Sequence, residues 1–306
     1  MPDVPAPHDG RYAPSPTGPL HLGNLRTALL AWLFARSARA RFVLRIDDLD
    51  PGRSRREHEA GQLADLAALG LDWDGPVPRQ SARADRYAEG LAALEAQGLV
   101  YPCWCTRAEL REAASAPHGA LPEGAYPGTC LRLTAAQRAE REARGRPPAL
   151  RVRADAAVVT VEDRLLGPST QVVDDLVVRR ADGTHAYNLA VVLDDHDQGV
   201  GEVVRGADLA ETTGRQVWLA RRLGLAVPAH AHVPLVLGPD GRRLAKRDGA
   251  VTLADRCALG ERPEQVRGLL AASVGLCAPG ATPAMDELVA AFDPARLPRE
   301  PTVLRP

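Results

Sequence analysis

A strand, a loop crowded with proline and glycine, and a helix follow one another near the start of the sequence, and this order restricts the folds open to the chain. Residues 11–13 are predicted to form a short strand, and the loop PSPTGPLHLGN follows them. RFVLRI at residues 41–46 is predicted to form a second buried strand. Between them, apolar residues recur at helical spacing at Leu22, Leu25, Leu29 and Leu33, with Trp32 and Phe34 widening the apolar face. Strand–helix–strand order predicts an α/β protein built on a parallel sheet.

The alternation of strands and helices continues along the chain. Helical spacing returns at residues 62–69 and 85–97, and LVYPCWC after them is strand-like. Thr106 and Glu109 form a T-x-x-E capping box, which predicts the start of a new helix. From residue 112 to 148 the periodicity fades in a segment rich in alanine, arginine, proline and glycine, which indicates an inserted subdomain.

The second half of the chain resumes the sheet pattern. ALRVRADAAVVTVEDRLLG and VVDDLVVRRADGTHAYNLAVVLDD both suit buried strands, and the second contains a hairpin turn at residues 181–183. We therefore expect the residues after this turn, through YNLAVVLDD, to continue the sheet. A helix is predicted from Thr213 to Leu223, and the tail from Thr252 onward is expected to be helical.

Composition and charge limit the kind of protein. The 306 residues are 45% hydrophobic and 25% charged, which is typical of a globular chain with one large domain or two smaller ones. No apolar run reaches the roughly 20 residues of a membrane helix, and the N-terminus lacks the order of a signal peptide. We therefore expect a cytoplasmic protein without membrane contact. The net charge of -1 gives no general attraction to nucleic acid.

One lysine stands out among the basic residues. Lys246, in GRRLAKRDGA, is the only lysine among the 38 lysine and arginine residues of the chain. A planar guanidinium does not replace a compact ammonium on a flexible stem at every site. The surviving lysine therefore indicates a position that arginine cannot fill, and chance is the alternative.

The loop after the first strand is the second candidate functional feature. In open α/β sheets such a loop binds a nucleotide phosphate, because the N–H groups and dipole of the helix N-terminus attract an anion. His21 lies in this first turn, and Gly23 would let a ligand approach the backbone. Neither G-x-G-x-x-G nor G-x-x-x-x-G-K-[ST] is present, so a simple capped helix is the alternative.

Five segments of the sequence together resemble a known family. RYAPSPTGPLHLGNLRTAL resembles the first signature of class I aminoacyl-tRNA synthetases in its glutamyl version, with His21-Leu22-Gly23-Asn24 in place of HIGH. RLAKR at residues 243–247 is similar to the second signature, KMSKS, and places Lys246 on its second lysine. RIDD, YNLAVVLDD and VVRGADL resemble glutamyl-synthetase segments in the expected order. The resemblance implies a Rossmann-like doubly wound parallel sheet.

The resemblance also implies a reaction with ATP. Glutamate attacks the α-phosphate of ATP, accompanied by Mg²⁺, and gives glutamyl-adenylate and pyrophosphate. Negative charge grows on the phosphates in the transition state, so positioned donors and cations do most of the catalysis. His21 and Lys246 are then the expected catalytic residues, on opposite sides of ATP. The residues expected to bind ATP are His21, Gly23, Asn24 and Lys246.

For glutamate, the resemblance implies a set of charged and polar partners. Arg11 and Arg205 would bind the side-chain carboxylate as bidentate partners, with Ser15 and Tyr187 forming hydrogen bonds around the ligand. Asp47 would face the α-ammonium group. The family has glutamate at that position, so the shorter side chain requires a closer strand or a bridging water. The alternative for Arg205 and Asp47 is that they belong to a surface salt bridge.

Three of the five cysteines lie close together in the sequence, at Cys103, Cys105 and Cys130. Three thiols in a cytosolic protein suggest a tetrahedral Zn²⁺ site that lacks one ligand, and His118 is the natural fourth from the residues alone. The C-x-C…Y-x3-C pattern instead resembles the zinc site of glutamyl-Q tRNA(Asp) synthetases and implies Tyr126. Unliganded cysteines are the alternative. Cys257 and Cys277 are expected in the core.

The length beyond the second signature bears on the acceptor. The chain ends about sixty residues after Lys246, where glutamyl-tRNA synthetases continue into helical domains that read the anticodon. We therefore expect the glutamyl-Q type, whose members transfer glutamate to queuosine at the wobble position of tRNA(Asp), without an obligate protein partner. A truncated enzyme charging the 3′ end of tRNA(Glu) and an adenylate-former with a small acceptor are alternatives. A binding paralogue without catalysis is another, because Arg243 and Ala245 replace the first lysine and the serine of KMSKS.

These patterns divide the chain into four predicted segments. The catalytic domain is expected to be split into two halves by an insertion and followed by a helical tail. The segments are 1–102, the first half; 103–150, the inserted zinc subdomain; 151–250, the second half with the KMSKS-like loop; and 251–306, the C-terminal helical segment.

Overall fold

A computed structural model describes the chain over residues 8–106, 108–110, 125–242, 244 and 251–304. The strands are β1 (Gly10–Tyr12), β2 (Phe42–Leu44), β3 (Val100–Cys103), β4 (Ala149–Val152), β5 (Ala157–Val161), β6 (Ser169–Val173), β7 (Leu176–Arg179), β8 (Glu202–Gly206), β9 (Ala229–Val233), β10 (Val236–Leu237) and β11 (Thr302–Val303). The helices are α1 (Leu22–Ser37), α2 (Arg56–Ala68), α3 (Ala84–Ala96), α4 (Ala135–Ala143), α5 (Tyr187–Asp197), α6 (Thr213–Arg222), α7 (Leu253–Ala258), α8 (Pro263–Ala272) and α9 (Met285–Ala291).

The central element is a parallel sheet with the strand order β2-β1-β8-β9. Each neighbouring pair in this sheet is parallel. The strands on either side of β1 come from distant parts of the sequence, β2 directly after α1 and β8 much later. The expected α/β class and its Rossmann-like parallel sheet are therefore confirmed.

Helix α1 packs on this sheet because it is apolar around most of its circumference. The apolar residues that predicted the helix are all buried, namely Leu22, Leu25, Leu29, Trp32, Leu33 and Phe34. The ring of Phe34 meets Phe292 edge to face, with 5.2 Å between ring centroids, so the C-terminal helices close over the same core. This packing fixes the position of the loop that precedes α1.

Two antiparallel sheets flank the central one. Strands β3, β4 and β7 form the first, and β5 and β6 form a two-stranded ribbon. The predicted capping box after β3 is confirmed, because Thr106 N donates to Glu109 Oε2 at 2.6 Å and Glu109 N donates to Thr106 Oγ1 at 3.1 Å. The boundaries of the four segments proposed from the sequence stay predictions.

Two expectations about secondary structure were wrong or incomplete. The residues YNLAVVLDD do not continue the sheet but lie in helix α5, where Leu189–Leu193 are all buried. A short apolar run buried on all sides has no periodicity that separates a strand from a helix. The tail contains helices α7, α8 and α9 as expected, but it also ends in strand β11, which pairs in parallel with β10.

The two cysteines expected in the core have different surroundings. Cys257 is exposed on α7, so its assignment to the core was wrong. Cys277 is half-buried and packs against the main core. None of the helices in the described ranges is both long and apolar enough to cross a bilayer.

Candidate active site and metal centre

A cavity of about 610 Å³ lies at the carboxyl ends of β1 and β8, the central pair of the parallel sheet. In open α/β sheets this edge binds ligands where the strand order reverses. All the described residues predicted for ATP or glutamate line it: Arg11, Ser15, His21, Gly23, Asn24, Asp47, Tyr187 and Arg205. Lys246, Arg243 and Ala245 lie outside the described residues. The fold thus gathers the described candidates into one site.

His21 is the N-cap of α1 and projects its ring toward this cavity. Its Nδ1 accepts a hydrogen bond from Asn24 N at 3.1 Å, and Asn24 Oδ1 accepts one from His21 N at 3.3 Å. Because Nδ1 is an acceptor, a neutral ring carries its proton on Nε2. The imidazole is therefore set as a donor at the positive end of a helix, which suits a phosphate.

Gly23 is required by the close approach of the His21 ring. A Cβ atom at position 23 would lie 2.9 Å from His21 Cε1 and 3.0 Å from its Nδ1. Side chains do not tolerate contacts this short, so any other residue would displace the ring or the capping hydrogen bond. The spacing His-x-Gly-Asn thus has a local geometric cause.

Beneath the cavity, a buried ion network centres on Arg45, which the sequence reasoning missed. Arg45 Nε donates to Asp47 Oδ1 at 2.7 Å, and its Nη1 donates to Asp195 Oδ1 at 2.7 Å. Asp195 also accepts from Arg11 Nε at 3.3 Å. Two features of the sequence could have indicated this network: a charged residue, Arg45, within the apolar segment RFVLRI, and the two aspartates that end YNLAVVLDD. Their pairing fixes Arg11 and Asp47 relative to each other.

Asp47 faces the cavity with a perturbed carboxyl group. Burial raises its pKa, the charge and hydrogen bond of Arg45 lower it, and the result is a pKa of about 6. Its neighbour Asp48 turns away and accepts hydrogen bonds from Ser81 N at 2.8 Å and Ser81 Oγ at 2.6 Å. Of the two adjacent carboxylates, only Asp47 lines the cavity.

The raised pKa of Asp47 predicts a pH dependence. If Asp47 binds the α-ammonium group of glutamate, it must be ionised, so kcat/KM for glutamate should fall below pH 6, by about tenfold per pH unit at the acidic limit. Glutamate-dependent exchange of pyrophosphate into ATP, measured at saturating Mg-ATP, reports this profile.

Two matched variants control this measurement. Asp47→Asn should lower kcat/KM at pH 8 and remove the acidic fall, whereas Asp48→Asn should keep the wild-type profile. An Asp47→Asn profile that falls like that of the wild type would contradict the assignment.

Arg205, at the end of β8, also lines the cavity and is only 5% exposed. Its Nε donates to His232 Nε2 at 3.0 Å, its Nη1 to Gln216 Oε1 at 2.7 Å and its Nη2 to Thr213 Oγ1 at 2.8 Å. All three acceptors are uncharged. Burial lowers the pKa of Arg205, although the Tyr187 hydroxyl opposes this shift. The guanidinium therefore presents a cationic charge that its direct partners do not neutralise, which suits a carboxylate ligand.

A second cavity of about 680 Å³ adjoins the first and shares Ser15, Asp47 and Tyr187 with it. Tyr187 is 39% exposed at the start of α5, between the two spaces. The lining of the second cavity carries both charges: Arg180 and Arg215 contribute to it, and Arg215 is paired with the lining residue Asp174 at 2.6 Å. It offers room for a second substrate beside the glutamate position.

The three predicted metal-binding cysteines come together at the end of β3. The sulfur atoms of Cys103, Cys105 and Cys130 lie within 4.8 Å of one another, with 3.5 Å between those of Cys105 and Cys130. Tyr126 Oη lies 3.5 Å from Cys103 Sγ and 3.6 Å from Cys105 Sγ. Tetrahedral zinc with ordinary bond lengths has edges of about 3.8 Å between two sulfurs and about 3.5 Å between sulfur and oxygen. These residues therefore fit a zinc ion.

Arg151 supports the thiol cluster from the side. Its Nε donates to Cys103 Sγ at 3.3 Å, and its guanidinium lies 3.7 Å from the centre of the Tyr126 ring. Hydrogen bonds from the other two thiols and from Tyr126, together with the Arg151 charge, lower the pKa of Cys103 despite its burial. A thiolate is the form that binds metal. His118, the other candidate fourth ligand, lies outside the described residues.

Comparisons with known proteins agree on one family. The catalytic domain described as class I tRNA synthetases (E and Q) matches residues 9–272. A glutamyl-Q tRNA(Asp) synthetase of Nocardia farcinica is 60% identical, over 99% of this chain and 96% of the relative. Another, of Symbiobacterium thermophilum, is 52% identical over 95% of this chain and 94% of the relative.

A solved structure has the same fold. The crystal structure of a glutamate tRNA ligase from Elizabethkingia meningosepticum, in complex with its amino acid, is similar with a TM-score of 0.82. The sequences are 27% identical, and the similarity covers 97% of this chain and 67% of that one. The likeness thus extends over nearly all of this chain.

Proposed function

The chain belongs to the class I tRNA synthetase family of the glutamate and glutamine type, and we propose that it activates L-glutamate with ATP and transfers it to queuosine of tRNA(Asp). An oxygen of the α-carboxylate attacks the α-phosphorus of ATP, and pyrophosphate leaves. A hydroxyl of the queuosine cyclopentene ring then attacks the activated carbonyl carbon, and AMP leaves as the ester forms. We assign this reaction to the cytoplasm, where these substrates occur.

The observation that carries the proposal is the convergence of the predicted residues on one cavity. Arg11 and Arg205 supply cations for the side-chain carboxylate of glutamate, and Asp47 supplies an anion for its α-ammonium group. Ser15 and Tyr187 complete the polar lining. A cavity lined by both cations and an anion matches an acidic amino acid better than a neutral one.

The ATP phosphates are assigned to the N-terminus of α1. Nε2 of His21 and the backbone around Gly23 and Asn24 donate to the phosphates, where charge grows in the transition state. Lys246 is proposed as the cation on the opposite side, because an ammonium on a flexible stem follows pyrophosphate as it departs. Mg²⁺ accompanies ATP as part of the substrate.

The acceptor is assigned to the second cavity. It shares Tyr187 and Asp47 with the glutamate position, so an acceptor hydroxyl there is next to the activated carboxyl group. Among its charged side chains, which include aspartates, arginines such as Arg180 suit the phosphates of a single-stranded anticodon loop with splayed bases. The choice of tRNA(Asp) is supported by relatives of nearly equal length that bear the glutamyl-Q name.

Transfer of labelled glutamate tests this function. The protein is given ATP and tRNA(Asp) with and without queuosine, and tRNA(Glu) serves as the competing acceptor. Label should appear on queuosine-containing tRNA(Asp) alone. Label on the 3′ end of tRNA(Glu) would instead identify a charging enzyme. If zinc-loaded protein shows no glutamate-dependent pyrophosphate exchange, catalysis is rejected and the alternative of a non-catalytic glutamate- or tRNA-binding paralogue stands.

For the metal, we propose one structural Zn²⁺ held by Cys103, Cys105, Cys130 and Tyr126. Four protein ligands leave no open position, so the ion would stabilise the fold locally and take no part in bond making. The distances among the three thiols and the phenol oxygen support this ligand set. Arg151 would offset the negative charge of the ligands.

Zinc retention separates the two candidate fourth ligands. Tyr126→Phe should release zinc to a competing chelator at least about tenfold more readily, because one ligand and its orientation are lost. His118→Ala should retain zinc like the wild type. The reverse result, with zinc lost only from His118→Ala, would assign the fourth position to the histidine.

A further inference from the structure

Two buried polar residues, His232 and Asp163, form a hydrogen-bonded row that begins at Arg205. The proposed function assigns no role to either of them. Arg205 and His232 are register partners on the adjacent strands β8 and β9. Arg205 Nε lies 3.0 Å from His232 Nε2, and His232 Nδ1 lies 2.5 Å from Asp163 Oδ2. All three residues are at most 8% exposed. This row of hydrogen-bonded side chains therefore leads from the glutamate cavity into the protein interior.

The chemistry of the arginine fixes the tautomer of His232. The Nε of a guanidinium is a donor only, so His232 Nε2 must accept and the ring proton must lie on Nδ1. That proton is then donated to Asp163. Burial lowers the pKa of His232 and the Arg205 charge lowers it further, although the hydrogen bond to Asp163 opposes both. The ring thus stays neutral and keeps its acceptor for Arg205.

Asp163 is itself held rigidly. Its Oδ1 accepts from Leu165 N at 2.9 Å and Leu166 N at 2.8 Å, and His232 N lies 3.2 Å from its Oδ2. Burial raises its pKa, but the hydrogen bonds from the His232 ring and from these backbone groups outweigh burial and bring the pKa to about 2. The carboxylate is therefore a permanent acceptor that orients the imidazole.

We propose that Asp163 and His232 are positioning residues that fix the Arg205 guanidinium for the side-chain carboxylate of glutamate and so favour glutamate over glutamine. This inference rests on the proposed activation of glutamate. His232 accepts the hydrogen bond of Arg205 Nε, so this N–H does not bind the ligand. The acceptors on Gln216 and Thr213 fix the plane of the guanidinium. Leu209 O also accepts from Nη2 at 3.4 Å. A carboxylate brings a negative charge and two acceptor oxygens to the positioned guanidinium, whereas a carboxamide is neutral and has one acceptor oxygen.

Two substitutions of His232 separate its two hydrogen bonds. In His232→Asn the amide nitrogen replaces Nδ1 and still donates to Asp163, but no acceptor reaches Arg205. In His232→Gln the amide oxygen replaces Nε2 and still accepts from Arg205. A role in general packing affects both variants alike, whereas positioning of Arg205 affects mainly the asparagine variant.

The test is glutamate-dependent pyrophosphate exchange by the full chain, with glutamine as the competing amino acid. His232→Asn should raise KM for glutamate at least about tenfold and lower the preference for glutamate over glutamine by a similar factor, with KM for ATP unchanged. His232→Gln should restore most of the glutamate affinity. Wild-type KM and preference in His232→Asn would overturn the proposal.

Two further experiments test the proposal if His232→Asn does not fold: the kinetics of Asp163→Asn, and nitrogen-15 NMR of the His232 ring in the wild type. An amide that donates to Nδ1 would move the ring proton to Nε2, where it faces Arg205 Nε–H, so glutamate affinity should fall although position 163 is remote from the ligand. Nitrogen-15 NMR of the wild-type imidazole should report a protonated Nδ1. A proton on Nε2 would overturn the proposal.

These outcomes are distinct from failure of the proposed function. A wild-type protein without glutamate-dependent exchange would remove the proposed function and this inference together. Normal exchange by the wild type with unchanged kinetics in His232→Asn and Asp163→Asn would remove this inference alone.

Discussion

Replacing Arg205 with glutamine is expected to lower kcat/KM for glutamate about 10²- to 10³-fold, or roughly 3 to 4 kcal/mol of transition-state stabilisation. The guanidinium is buried, and its direct hydrogen-bond partners are uncharged. A glutamate carboxylate in the cavity would therefore lose one of its two proposed cations, and Arg11, which is already paired with Asp195, would be the one that remains. Pyrophosphate exchange at varied glutamate concentration measures the effect.

The control for this experiment is Arg221→Gln, which changes an exposed arginine on helix α6. It should exchange pyrophosphate like the wild type. KM for ATP should be unchanged in both variants, because Arg205 is assigned to the amino acid and not to the nucleotide. An Arg205→Gln protein that folds and keeps kcat/KM within threefold of the wild type would refute the assignment of Arg205 to the glutamate carboxylate.

Replacing His21 with asparagine is expected to lower kcat for pyrophosphate exchange about 10²- to 10³-fold, the usual loss when one donor to a developing charge is removed. Asparagine is a good N-cap, so its side-chain oxygen should still accept from the Asn24 backbone N–H and preserve α1. The imidazole Nε2 donor is lost without disturbing the helix. Kinetics and thermal unfolding are measured on the same protein.

His21→Ala is the companion variant. It loses both the imidazole and the cap, so it should match His21→Asn in kinetics but lower the free energy of unfolding by about 1 kcal/mol more. Near-wild-type kcat in His21→Asn would mean that the histidine serves only as a helix cap.

The sequence determined the features that depend on local order. The strand, the Pro-Gly loop and helix α1 were predicted because apolar spacing and loop composition act within about twenty residues. The capping box at Thr106 and Glu109 is local for the same reason. The residues of the candidate cavity were predictable because they fall within short motifs that resemble a family, and each motif carries its own chemistry.

Only the tertiary structure decided how distant charges pair. Arg45 and Asp195 are 150 positions apart in sequence, and Arg11 and Asp195 are 184 apart. The helical state of Tyr187–Asp197 was likewise settled by packing, because its apolar run Leu189–Leu193 is buried and has no distinguishing period. Asp163 meets His232 only because β9 lies beside β8 and the chain after β5 passes close to it. A hydrogen bond between such residues depends on the path of the whole chain, which local spacing does not encode.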